Sequence, residues 1–145
     1  MSNETSEREI RELHAHWFEV AAAKDLDGAM SHIAEDVLSY EHGVPLQYQG
    51  IAAVRSVCRA GFELAAGEFE WTVPDLKVFV RDDLAVAFGL NRMETRPPGK
   101  PAHVSFSRGT RVFQKIEGEW KLIHQHVSFP FDPTTGRARV DLTPE

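Results

Sequence analysis

Apolar side chains recur at helical spacing near the start of the chain: Ile10, Leu13, Trp17 and Val20 fall three or four residues apart. That interval stacks side chains on one helix face, and it predicts a first helix running to Ala23. Ser6 and Glu9 have the spacing of a capping box and are taken to open it. A short second helix is expected over 26–33, with Asp25 or Asp27 placed to cap it. Residues 37–41 and 46–49 read as short strands around a turn at 42–45. After Gly50 a third helix over 51–65 turns Val54, Val57, Cys58 and Phe62 inward.

Beyond Gly67 the texture changes to period-two alternation, the signature of strands. Four are expected, over 69–80, 84–95, 102–116 and 119–129, with tight turns at Asp82–Asp83 and Glu117–Gly118. Residues 96–101 hold three prolines and a glycine and read as a looser loop. The tail is poor in apolar residues, so the chain divides into a domain over 1–132 and an irregular tail over 133–145. Helices followed by a meander predict an α+β fold: three helices covering one face of a bent, cone-shaped antiparallel sheet of five or six strands. The segment 84–90 is apolar on both of its faces. One face meets the helices; the other most simply meets a second copy across a two-fold axis. That outer face is expected to carry Val86, Phe88, Leu90, Trp120 and Leu122.

The 145 residues suffice for one core, and the net charge of −6 with no Lys/Arg cluster argues against nucleic acid and anionic membrane surfaces. No apolar run approaches the roughly 20 residues that span a bilayer. A polar first stretch offers no signal peptide, and the single Cys58 cannot form an internal disulfide, so a cytoplasmic location is expected. Cys58 reads as packing. His124 and His126 share a strand face without a carboxylate or Cys partner on that strand, and read as interface packing rather than a metal pair.

The stretches KDLDGAMSHIAEDVLSYE (24–41), YQGIAAV (48–54) and SRGTRVFQKIEGEWKLIHQHVSFPFDP (107–133) resemble the SnoaL-like and ketosteroid-isomerase-like branch of the nuclear transport factor 2-like superfamily. The last stretch is also similar to the association domain of calcium/calmodulin-dependent protein kinase type II. The resemblance covers roughly residues 6–132 and implies a cystatin-like α+β roll around one pocket. It implies no cofactor. The superfamily holds isomerases, dehydratases, cyclases and oligomerisation modules, so it points to fold more sharply than to activity. Two readings stand: a cofactor-free isomerase, dehydratase or related lyase using a carboxylate base, and a non-catalytic ligand-binding or oligomerisation module.

Carried over by position, the resemblance puts the isomerases' catalytic base at Glu41, counting back from Gly50. It puts their two oxyanion donors at Trp17 and Thr110. A carboxylate is kept at the base position and both donors differ, so proton transfer is retained as an expectation while steroid chemistry is not. If Thr110 marks the cavity face and residues pair across the 117–118 turn with a constant sum of 235, strict alternation brings Arg108, Thr110, Val112, Ile123, Gln125 and Val127 to that face. On the preceding strand Ala87, Gly89, Asn91 and Met93 join them. Arg108, Asn91, Gln125, Val57, Phe62 and Val127 are therefore the expected ligand-contacting residues, for a small, mostly apolar molecule with a carbonyl or carboxylate. Arg108 either pairs with Glu41 or receives an anionic ligand group. His42 is a turn residue or a proton-sharing neighbour of Glu41.

Overall fold

The computed structural model describes residues 2–145. The first helix, α1 (Asn3–Ala22), starts four residues earlier than the Ser6–Glu9 spacing suggested. Ser2 is the cap, its hydroxyl accepting from the Thr5 amide at 3.1 Å, while Ser6 is buried within the helix. The apolar stripe holds: Ile10, Leu13, Trp17 and Val20 are all buried. A short α2 (Leu26–Met30) is capped by Asp25, which accepts from the Gly28 amide at 3.0 Å. The chain then forms β1 (Ile33–Tyr40), a two-residue β2 (Tyr48–Gln49) and α3 (Ile51–Leu64).

Five strands complete the fold: β3 (Glu68–Thr72), β4 (Lys77–Arg81), β5 (Leu84–Arg96), β6 (His103–Ile116) and β7 (Glu119–Ser128). They make one seven-stranded curved sheet in the order β2-β1-β7-β6-β5-β3, with β4 also pairing β5. The sheet is mixed rather than purely antiparallel, because β1 lies parallel to β7. The long strand expected over 69–80 is two strands, broken where Pro74 offers no amide hydrogen. Both halves pair with β5. They part opposite Gly89, where a Cβ would come within 2.7 Å of Val73 Cγ1 and 3.1 Å of the Asp75 carbonyl. After Ser128 the chain makes a single isolated bridge, Phe131 to Ala138.

The hairpin between β6 and β7 turns on Glu117 and Gly118, both with positive φ (51° and 82°). From Ile116↔Glu119 to Phe113↔Leu122 the pairing follows the expected sum. It then slips: Val112 faces His124, Arg111 faces Gln125 and Thr110 faces His126. Ile123 is the extra residue of a β-bulge, which moves every later partner by one. On β7 itself the bulge lets Trp120 and Leu122 before it and Gln125 and Val127 after it all turn to the inner side. Arg111 and Phe113 point to the helices and are buried at 2% and 0% exposure, while Arg108 and Thr110 point outward. Trp120 and Leu122, expected on an outer face, belong to the core with Phe113, Trp17 and Ile10. Phe88, Leu90 and partly buried Val86 do lie on the outer side. His124 and His126 flank Tyr40 there, and His124 Nδ1 donates to the Leu38 carbonyl at 2.7 Å.

Candidate functional site

Between the helices and the concave sheet face lies a cavity of about 220 Å³. Its apolar wall comes from the helices: Trp17 from α1, Met30 from α2, and Val57, Cys58 and Phe62 from α3. Its polar floor comes from the sheet: Glu41, Asn91, Arg111 and Gln125, with His42 beside Glu41. Consecutive residues in a strand face opposite ways. Glu41 and His42 escape that rule because β1 ends at Tyr40, so both reach the same space.

The polar groups form one connected chain. Glu41 Oε2 accepts from the Ser39 hydroxyl and, at 3.1 Å, from Gln125 Nε2. Gln125 Oε1 accepts from Arg111 Nε at 2.9 Å. The amide between them is thereby oriented by charge, its NH2 toward the carboxylate and its oxygen toward the guanidinium. Arg111 Nη2 donates to Asn91 Oδ1 at 2.8 Å, and Trp71 Nε1 donates to the same oxygen at 3.0 Å. Asn91 Nδ2 donates to Ser107 Oγ at 3.0 Å, which meets His42 Nε2 at 2.7 Å. The Arg111 guanidinium also lies 4.9 Å over the Trp71 ring. Gly109 makes this crossing possible, since a Cβ there would come within 2.8 Å of Asn91 Nδ2 and 3.3 Å of Arg111 Nη1.

The electrostatics follow from enclosure. Burial lowers the Arg111 guanidinium to about 10, against the favourable charge of Glu41. Loss of water around the His42 imidazole lowers its pKa, with Glu41 pulling the other way and Arg111 adding to the fall. Burial, reinforced by the Glu41 charge, pushes the Cys58 thiol up to about 11, which leaves it protonated and a poor nucleophile. Arg111 has no carboxylate partner among the described residues. Its hydrogen-bond acceptors are two neutral amide oxygens, and Nη1 is buried with none.

Of the residues singled out from sequence, Glu41, Trp17, Asn91, Gln125, Val57, Phe62 and Val127 all border the cavity. Arg108 and Thr110 do not. Uninterrupted alternation along β6, with Phe113, Arg111 and Ser107 turned inward, puts them on the outer face beside Phe88, Leu90 and Phe106, so Arg108 neither pairs with Glu41 nor reaches a ligand in the cavity. Trp17 borders the space with its ring, but its indole N–H is spent on the Ala29 carbonyl at 3.0 Å. It is therefore not free to stabilise an oxyanion. Arg111 and Trp71 were missed. The signal for Arg111 was the apolar weight of Phe113, Trp120 and Leu122: taking those as core turns Arg111 inward by alternation alone.

The family model described as SnoaL-like domain matches residues 10–132. Among curated proteins none matches the chain. A solved NTF2-like protein of unknown function from Pseudomonas putida KT2440 superposes with a TM-score of 0.90 at 30% identity, covering 99% of both chains. A putative dehydratase of the NTF2-like family from Streptomyces avermitilis gives 0.76 at 17% identity, over 88% of this chain and 97% of that one. A putative calcium/calmodulin dependent protein kinase II association domain from Xanthomonas campestris gives 0.74 at 17%, over 93% and 89%. The last two speak to fold alone. Among the described residues no helix is long and apolar enough to cross a membrane.

Proposed function

Because the chain belongs to the SnoaL-like domain family, we propose that its cavity binds a small, mostly apolar carbonyl compound and that Glu41 moves a proton on it, in an isomerase- or dehydratase-type reaction that needs no cofactor. The observation that carries this is the posture of Glu41. One oxygen, Oε2, is tied by Ser39 and Gln125, while no hydrogen bond reaches Oε1 among the described residues. A base needs that arrangement: an anchored carboxylate with one free oxygen in a space a substrate can enter. Trp17, Val57 and Phe62 supply the apolar wall, and Arg111, one amide away, is placed to favour negative charge developing nearby.

The test needs no knowledge of the natural substrate. Phenylacetone in deuterated buffer should exchange its hydrogens next to the carbonyl faster with the protein than without it, as read by mass spectrometry. Glu41→Gln keeps the hydrogen bond to Ser39 or Gln125 but removes the base. It should slow exchange by about 10²- to 10⁴-fold while the probe still binds. Exchange at the wild-type rate in Glu41→Gln would overturn the reading.

A second, compatible property rests on the outer sheet face. Phe88 and Leu90 are 38% and 41% exposed there, with Phe79 stacked on Phe88 at a centroid distance of 5.9 Å. Apolar side chains gathered on an exposed sheet face favour self-association, and we assign this face to a homodimer contact.

A further inference from the structure

Arg111 is the group in the cavity that the fold leaves incomplete. A guanidinium taken out of water is costly unless it is paired and fully hydrogen-bonded. Here it is 2% exposed, its acceptors are neutral, and Nη1 has no partner. Glu41 stands close enough to be felt but is separated by the Gln125 amide, so it does not neutralise the fork directly. Gly109 leaves the side of Nη1 without a Cβ. Everything around the guanidinium fixes its plane: Trp71 below, Asn91 and Gln125 at its edges. A charge held flat, dry and short of one acceptor, at the wall of a cavity, is prepared for an anion that arrives from outside.

We propose that Arg111 is the seat for a carboxylate carried by the ligand, so that among small apolar carbonyl compounds this cavity prefers those that also bear a single carboxylate. This rests on the reading of the cavity as a ligand site, and it narrows the substrate class. The acid head lies against the guanidinium and supplies the acceptor Nη1 lacks, and the hydrocarbon part lies against Trp17, Val57 and Phe62. A cavity of about 220 Å³ is below the ~300 Å³ at which drug-sized ligands begin. It suits one ring or a short chain.

The experiment compares acids with their amides of the same shape. Wild-type protein is titrated at pH 7.5 with 3-phenylpropionate and hexanoate, and with 3-phenylpropanamide and hexanamide, by calorimetry and by the fluorescence of Trp17 and Trp71. The acids should bind roughly tenfold to a hundredfold tighter, the usual worth of a hydrogen bond to a charged group. Arg111→Lys keeps a charge but loses the fork. It should weaken the acids more than the amides, bringing the acids down toward the amides. Acids and amides binding alike, or neither binding, would overturn the seat. So would an Arg111→Lys protein that melts as wild type does and still prefers acids. If that variant does not fold, the wild-type acid-to-amide ratio decides alone. Glu41→Gln separates the two readings. Acid binding retained with exchange lost supports both. Acid preference retained with exchange unaffected removes the base and keeps the seat. Amides or phenylacetone binding without acid preference removes the seat and keeps the cavity.

Discussion

His14 sits at 0% exposure among Trp17, Phe18 and Phe113, ring edges toward one another. Its Nδ1 faces the Ile10 carbonyl at 2.8 Å, so that nitrogen carries the proton, and Nε2 is a buried acceptor with no partner. Burial drives the imidazole from 6.5 to about 4, with the Arg111 and Arg11 charges adding to the fall and the Ile10 bond opposing it. The folded state thus prefers neutral His14. Above pH 6.5 this costs nothing, since the unfolded chain is neutral too. Between pH 6.5 and 4 the unfolded chain takes up the proton first, and stability falls as pH falls. At about 1.4 kcal/mol per unit, the loss reaches roughly 3 kcal/mol near pH 4. His14→Met removes the titration. Urea unfolding at a series of pH values should show the wild-type advantage over His14→Met shrinking by about that amount across the window. A gap that stays constant would show that His14 does not titrate against folding.

At the scale of elements, two glycines should answer in opposite directions to the same change. Gly89 on β5 faces the break between β3 and β4, with Val73 Cγ1 at 2.7 Å from its missing Cβ. Gly61 lies in α3 with nothing within 4 Å of the equivalent point. Gly89→Ala should cost roughly 1–3 kcal/mol through overpacking, whereas Gly61→Ala should gain about 0.5–1 kcal/mol from helix propensity. Chemical denaturation of both variants measures the pair; equal signs would refute the packing argument. The elements themselves were largely legible in sequence, because periods of 3.6 and 2 leave their mark on every buried face: Ile10, Leu13, Trp17 and Val20 gave α1, and the alternation after Gly67 gave the meander. What sequence does not carry is a bulge. Ile123 looks like any other apolar strand residue, yet it is the one that leaves Thr110 opposite His126 instead of Gln125. The cavity's helical wall was legible because it depends on local spacing, and Glu41 was reached through the family resemblance, counting back from Gly50. The charged floor falls to Arg111 rather than Arg108 because Phe113, on the same strand, is core, and the strand's face was assigned from Thr110 instead. The β1–β7 parallel pairing was hidden for another reason: it joins residues some 85 positions apart, as Leu38 with His124.

At the scale of the whole molecule, the homodimer contact proposed for the outer sheet face is open to a count of chains. Leu84, Phe88 and Leu90 are 45%, 38% and 41% exposed along one strand. At about 25 cal/mol per Å² their burial by a second copy is worth having. Light scattering at micromolar concentration should return twice the 16.3 kDa chain mass, and Leu90→Asp should halve it with the thermal transition still cooperative. A wild-type mass of 16.3 kDa would remove the dimer and leave the cavity untouched, because Trp120 and Leu122, which close the core beneath it, need no partner. The single Gln125 side chain that spaces Glu41 from Arg111 has a consequence of a different kind. It fixes Glu41 and Arg111 as two separate points, with the Trp17–Phe62 wall as a third. Three unlike points distinguish left from right. On the proposed reading, a molecule held by head and tail between them would show the Glu41 carboxylate only one of its faces, so of two mirror-related hydrogens on a methylene carbon the pocket should remove one and spare the other.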